Sequence, residues 1–219
     1  MSQVRTRVYQ ALQLMAKRND VIQDTHGNVS AKVYDALFGA HVVYIKPSGI
    51  PYDQISEDDV CGVELLSDGS TAYNGSLKPS VDLVHHINIY RNNPHIHAIC
   101  HTHSPHVVAH AIAGASIPCL CTEHADYFGA KIECADYRDL YTWGNIHVAT
   151  CEKALILESH GGLTFSDDPV DAVNLAIQLE NVARKNILSQ ALFHPNFEAL
   201  SKEEIKKWHD RYNNIYGQR

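Results

Sequence analysis

Two histidines two residues apart, His101 and His103, close the apolar run Ala98-Ile99-Cys100. Side chains alternate across a strand, so both imidazoles leave one face and can reach a single metal ion. A third histidine, His160, follows the apolar run Ala154-Leu155-Ile156-Leu157 and precedes Gly161-Gly162, where a glycine turn presents it to a neighbouring strand. Asp82 adds a carboxylate at the start of a helical pattern. Three imidazoles with a carboxylate nearby form an open, catalytic set of ligands for Zn2+ or another divalent ion such as Mn2+ or Co2+. A first-turn aspartate also complements a helix dipole without any catalytic duty, so both roles stay open for Asp82.

A second constellation suits an anion. The turns around Gly27-Asn28-Val29-Ser30 and Lys46-Pro47-Ser48-Gly49 offer backbone N–H groups, hydroxyls and one cation, the set a phosphate ester needs. Ordinary turn chemistry would account for either one alone. Ser80 reads as the N-cap of a helix over residues 81–90, which adds free N–H groups and a partial positive charge to the same region. The segment 122–129, containing Glu123, His124, Asp126 and Tyr127, reads as a loop rich in proton-transfer groups. His106 and His110, four apart on a short helix, are expected to be packing or surface residues.

The elements that must position these residues are legible from periodicity. Helices are predicted over 4–16, 81–90, 105–113 and 168–191, with a last helix opened by the capping box Ser201-Lys202-Glu203-Glu204. Strands are predicted beyond residue 30 and over 41–46, 60–66, 98–103, 117–121, 145–150 and 154–158, the last two as antiparallel neighbours. No linker or repeat divides the 219 residues. The expectation is one α/β domain over 1–219 with a largely antiparallel sheet.

Composition narrows the function. With 45% hydrophobic and 20% charged residues the chain reads as ordinary and globular. A net charge of −7 without a basic block argues against nucleic acid as a partner. No apolar run approaches a membrane span, and the N-terminus reads as an amphipathic helix instead of a signal peptide, so a cytoplasmic location is expected. None of the six cysteines has Cys-x-x-Cys spacing, which points to reduced thiols without chemistry.

Taken together, the blocks Gly27-Asn28-Val29-Ser30, Lys46-Pro47-Ser48-Gly49, Lys78-Pro79-Ser80-Val81-Asp82, His101-Thr102-His103-Ser104, His124-Ala125-Asp126-Tyr127-Phe128, Ser159-His160-Gly161 and Tyr216-Gly217-Gln218 resemble the class II aldolase and epimerase family. Within it they are most similar to the L-ribulose-5-phosphate 4-epimerases. The resemblance implies a three-layer α/β/α sandwich around a largely antiparallel sheet, assembled as a C4 homotetramer with active sites between adjacent subunits. It implies metal ligation by His101, His103 and His160 with Asp82 at or beside the ion, and a phosphate pocket at Asn28, Lys46, Ser48, Gly49 and Ser80. Asp126 and Tyr216 would be the acid/base pair, and His209 would line the site.

The implied reaction inverts C4 of L-ribulose 5-phosphate by breaking the C3–C4 bond, turning the aldehyde fragment and re-forming the bond. Three positions depart from the epimerase pattern. Val81 stands where a second serine is usual, Glu123 where threonine is, and Gly162-Leu163 where proline and an aromatic follow the first glycine. One hydroxyl fewer on the phosphate favours escape of the fragment, which makes a metal-dependent aldolase the alternative. A non-catalytic scaffold of the adducin type is a third possibility, set against the retained ligand set.

Overall fold

The computed structural model describes residues 3–21, 24–36, 39–136, 146–150, 152–192 and 198–216. In chain order these form α1 (Gln3–Ala16), β1 (Asn28–Asp35), β2 (Ala40–Ile45), β3 (Cys61–Leu65), β4 (Thr71–Ala72), α2 (Leu83–Asn92), β5 (Ala98–Thr102), α3 (Pro105–Ile112), α4 (Thr122–Phe128), β6 (Cys134–Ala135), β7 (Ala154–Leu157), β8 (Gly161–Ser166), α5 (Pro169–Leu192) and α6 (Lys202–Asn214). The sheet runs β4-β3-β2-β1-β5-β8-β7-β6. Every pairing is antiparallel except the parallel contact of β6 with β7.

Strand parity assigns the layers. On β5, Ala98 and Cys100 join Val8, Leu12 and Met15 of α1 and Ala172, Val173 and Ala176 of α5 in one core. Ile99 points the other way, into a core with Ile87, Ile89 and Tyr90 of α2 and with Leu163 and Phe165 of β8. A third cluster, including Val107, Ala111, Ile156, Leu179 and Val182, seats α3 on α5 and β7. The result is the expected α/β/α sandwich. By the same parity His101 falls on the α2 face, with Asp82 at the N-terminus of that helix.

Several expectations about the elements are corrected. The segment 117–121 is no strand: Ile117 exchanges two backbone bonds with Ile132 (2.9 and 3.0 Å), and Pro118, which has no N–H, ends the pairing. Residues 122–129 are not a loop, because His124, Ala125 and Phe128 are buried at helical spacing and Gly129, at φ 63°, closes the helix in the left-handed region. The predicted strand over 145–150 has no strand partner over its described part, 146–150. The amide of Asn93 serves instead, donating to Ile146 O at 2.8 Å and accepting from Val148 N at 2.8 Å. The antiparallel neighbour of β7 is β8, a strand that begins within the glycine turn after His160. Finally, α2 begins at Leu83 with Asp82 at its N-cap position, so Ser80 does not cap it. Cys61, Cys100 and Cys119 are buried and Cys121 and Cys134 half-buried, all as free thiols, while Cys151 lies outside the described residues.

Candidate metal centre

His101 is the penultimate residue of β5, His103 lies just past its end, and His160 sits in the tight connection between β7 and β8. One ring nitrogen from each lies within 4.8 Å of those of the other two. His101 Nε2 and His103 Nε2 stand 2.9 Å apart, and the His101 and His160 rings stack with centroids 4.9 Å apart. His101 Nδ1 donates to Gly162 O at 3.0 Å, which fixes the tautomer and leaves the Nε2 lone pair facing the cluster. Burial, then mutual repulsion, pushes His101 well below the ordinary histidine range and His103 down to about 4. Burial also lowers His160. Neutral imidazoles converging on one point are the form in which histidine binds a divalent ion, so this donor set fits one.

The backbone around the cluster is packed through glycines. A Cβ on Gly27 would lie 2.6 Å from His101 O, and one on Gly161 would lie 2.4 Å from Thr102 O and 3.3 Å from His101 Cε1. Ser159 adopts φ 58° to present His160, and its N–H is tied to Ala111 O of α3 at 2.8 Å. A non-glycine residue in this region costs conformational energy, offset here by the bonds that hold the turn.

The carboxylate of Asp82 does not cap its own helix. It accepts from Asn28 Nδ2 at 2.6 Å, and the same amide donates to Ser80 Oγ at 3.2 Å. Asn28 Oδ1 is buried and without a hydrogen-bond partner among the described residues. The two turns of the anion constellation are zipped together, with Ser48 N donating to Lys78 O at 2.8 Å and Ser80 N to Lys46 O at 2.9 Å.

Lys46 is only 2% exposed. Its ammonium donates to Pro47 O at 3.3 Å and Thr25 O at 3.4 Å and sits 4.8 Å from the Tyr52 ring centre. Burial lowers its pKa, against the pull of Asp24. No ion pair joins it to a carboxylate among the described residues, so its buried ammonium is held by carbonyls and a ring alone.

One cavity of about 350 Å³ is lined by Lys46, Ser48, Gly49 and Ser80 together with Asp82, His103 and His160. His101 and Asn28 are buried beside these groups, as the ring and amide contacts above require. His26 also lines it, its ring 5.6 Å from that of His103. Sequence reading gives His26 no role beyond the turn, although it stands next to Gly27-Asn28 in a block already singled out.

A match to the family described as Class II Aldolase and Adducin N-terminal domain covers residues 6–187. The chain belongs to that family. Among solved structures it is similar to an L-fuculose 1-phosphate aldolase, with 21% identity, 97% of each chain covered and a TM-score of 0.77. It is also similar to YgbL, a putative aldolase/epimerase/decarboxylase from Klebsiella pneumoniae, with 21% identity, 94% of this chain and 97% of that one covered and a TM-score of 0.74. An L-fuculose-1-phosphate aldolase from Thermus thermophilus matches at 20% identity over 88% of this chain and 100% of that one, with a TM-score of 0.69. At such identities the likeness establishes the family's fold.

The acid/base candidates sit elsewhere. Asp126 is on α4 and Tyr216 just beyond α6, and neither lines the cavity. Tyr216 stacks on Tyr212 at 5.3 Å with the Arg211 guanidinium 5.5 Å from its ring. His209 does not line this cavity; its Nδ1 lies 3.1 Å from Ala125 O and 3.2 Å from Asp126 O, where it holds α6 on α4. Asp126 Oδ1 is buried without a partner among the described residues, and burial raises the carboxyl's pKa. Glu123 forms an ion pair with Lys185 of α5. Of the two helical histidines, His106 pairs with Glu180 and His110 is buried.

Proposed function

We propose that the protein is a metal-dependent aldolase that cleaves the carbon–carbon bond of a ketose phosphate. The carrying observation is that two imidazoles of the three-histidine cluster, His103 and His160, line one cavity together with the buried Lys46 and two hydroxyl-bearing turns, with His101 buried directly behind them. His101, His103 and His160, with Asp82 lining the same cavity, would hold a divalent ion, which would supply Lewis-acid polarisation of the ketose oxygens. Lys46, Ser48, Gly49 and Ser80 hold the phosphate and so fix the sugar along the cavity. Asn28 holds the Asp82 carboxylate, which makes no cap bond to its own helix.

Cleavage requires a base to take the proton of the hydroxyl on the carbon being released, while the electron pair of the broken bond passes to the carbonyl oxygen. Asp126 is the group suited to that exchange, since its carboxyl has an unpaired buried oxygen and a raised pKa. In this reading Tyr216 is its proton-transfer partner. Because neither lines the cavity of its own chain, this reading places them in the cavity of an adjacent copy, in a C4 homotetramer.

Release of the fragment is favoured over its retention by Val81. This residue is 78% exposed at the phosphate end of the cavity and offers no hydroxyl. The aldolase names of the similar structures point the same way. The second reading is C4 epimerisation of L-ribulose 5-phosphate to D-xylulose 5-phosphate, supported by the block around Asp126 and by a terminal tyrosine.

Incubation of the Zn2+-loaded protein with L-ribulose 5-phosphate and, separately, L-fuculose 1-phosphate tests both readings. Aldehyde accumulating from either substrate supports the aldolase. D-xylulose 5-phosphate appearing without free glycolaldehyde phosphate replaces it with the epimerase. No turnover of any ketose phosphate by the metal-loaded protein defeats both.

A further inference from the structure

Ser104 has the extended backbone of a helix N-cap, φ −63° and ψ 140°, yet its side chain caps nothing in α3. Its buried hydroxyl has no partner among the described residues. The duty is taken by Glu180, from the middle of α5. The Glu180 carboxylate accepts from His106 N at 3.1 Å, from Val107 N at 3.2 Å and from His106 Nδ1 at 2.5 Å.

Glu180 is 4% exposed. A carboxylate so buried is costly unless donors surround it. Three donors from one turn supply that, and in return they clamp the turn to α5. The clamp has no slack, because a Cβ on Gly162 would lie 2.9 Å from Val107 Cγ1 and 3.0 Å from Leu179 Cδ2. Thus α3 and α5 are seated directly on the strand whose Gly162 O fixes His101.

His103 lies beyond Thr102, the last residue of β5, and ahead of Pro105, the first of α3. The ladder holds one side of it and the start of α3 the other. We propose that Glu180 is a positioning residue for His103: by replacing Ser104 as the N-terminal cap of α3, it fixes where the His103 imidazole stands relative to His101 and His160. This inference rests on the metal reading of the preceding subsection.

The test is the Zn2+ affinity of wild type, E180Q, E180A, H106A and S201A, measured by competition with a chromogenic chelator. The Co2+ absorption spectrum records ligand geometry, and metal-free thermal unfolding and circular dichroism are followed alongside. Ser201 caps α6 by accepting from Glu204 N at 3.2 Å, so S201A removes a cap on a helix that carries no ligand.

Both Glu180 variants are expected to bind Zn2+ about ten- to a hundredfold more weakly, with altered Co2+ bands. H106A keeps the two backbone donors and weakens binding less, while S201A lowers Tm without changing affinity. If folded E180Q and H106A bind Zn2+ with wild-type affinity and spectrum, Glu180 is a structural cap only and the proposal is overturned. The same holds if S201A weakens binding as much as E180Q. Wild type taking up no divalent ion is a separate result, read before any variant, that removes the metal reading and this proposal with it.

Discussion

Asn28 and Asp82 are joined by a 2.6 Å hydrogen bond from Nδ2 to Oδ2. Asn28 is also the register partner of His101 across β1 and β5, so one buried amide relates the carboxylate to the histidine cluster. Its second bond, to Ser80 Oγ at 3.2 Å, ties the same group to the phosphate side. Replacing it frees the carboxylate to turn back onto the N–H groups of its own helix, as an N-cap aspartate ordinarily does. Asn28→Ala should weaken Zn2+ binding about tenfold or more while the protein stays folded. Chelator competition with circular dichroism checks it, and an unchanged affinity would show that Asp82 needs no such tether.

Metal ligation and proton transfer should separate by mutation. His101→Ala and His103→Ala should abolish stoichiometric metal content, measured by elemental analysis after dialysis. Asp126→Asn should keep the metal and lower turnover about a hundredfold or more. Wild-type turnover by Asp126→Asn would mean that another group moves the proton.

The glycine at 161 is required by close approach and not by its own backbone angle. A methyl group there would press on Thr102 O at 2.4 Å, a backbone atom that cannot move without the strand. Gly161→Ala should therefore destabilise by about 1–3 kcal/mol and reduce metal content, since the strand displaced is the one carrying His101. Thermal unfolding together with metal analysis tests this; a variant with unchanged Tm would show that β5 and β8 can separate at no cost.

Acid should destabilise the metal-free protein through its buried histidines, including two outside the metal cluster. Burial holds His86 down to about 3 and His124 down to about 4, whereas both titrate near 6.5 once unfolded. Below about pH 6.5 the unfolded chain binds protons that the native state refuses. Their contribution is therefore fully present above that pH and is lost as pH falls toward 4, at up to about 1.4 kcal/mol per pH unit for each group. The Tm of the metal-free protein should fall between pH 7 and 5, with a shallower slope in His124→Gln. A slope unchanged by that substitution would remove His124 from the account.

The α/β class, the largely antiparallel sheet and the principal helices follow from periodicity, because burial of one face leaves a mark every second or every third to fourth residue, whereas the three-layer sandwich is implied by the family resemblance. Where periodicity misled, a side chain or a single imino acid had replaced the regular partner. Asn93 pairs with 146–148 in place of a strand, and Pro118 stops what begins as one. The short α4 was hidden because its seven residues show only one buried stripe among polar neighbours.

By itself the sequence determined that His101 and His103 share a face, since parity on a strand is a local property. It also supplied the set of residues, in family order, from which a metal and phosphate site could be expected. Only the tertiary structure decided which of them meet. The 28–30, 46–49, 78–82 and 101–103 segments converge because β1, β2 and β5 are neighbours in the sheet and α2 crosses one face. Asp126 and Tyr216 are held on the separate α4–α6 pair. Glu180 could not be placed at His106 from sequence at all, because a contact 74 residues long is fixed by how α5 packs on α3 and not by any pattern within either helix.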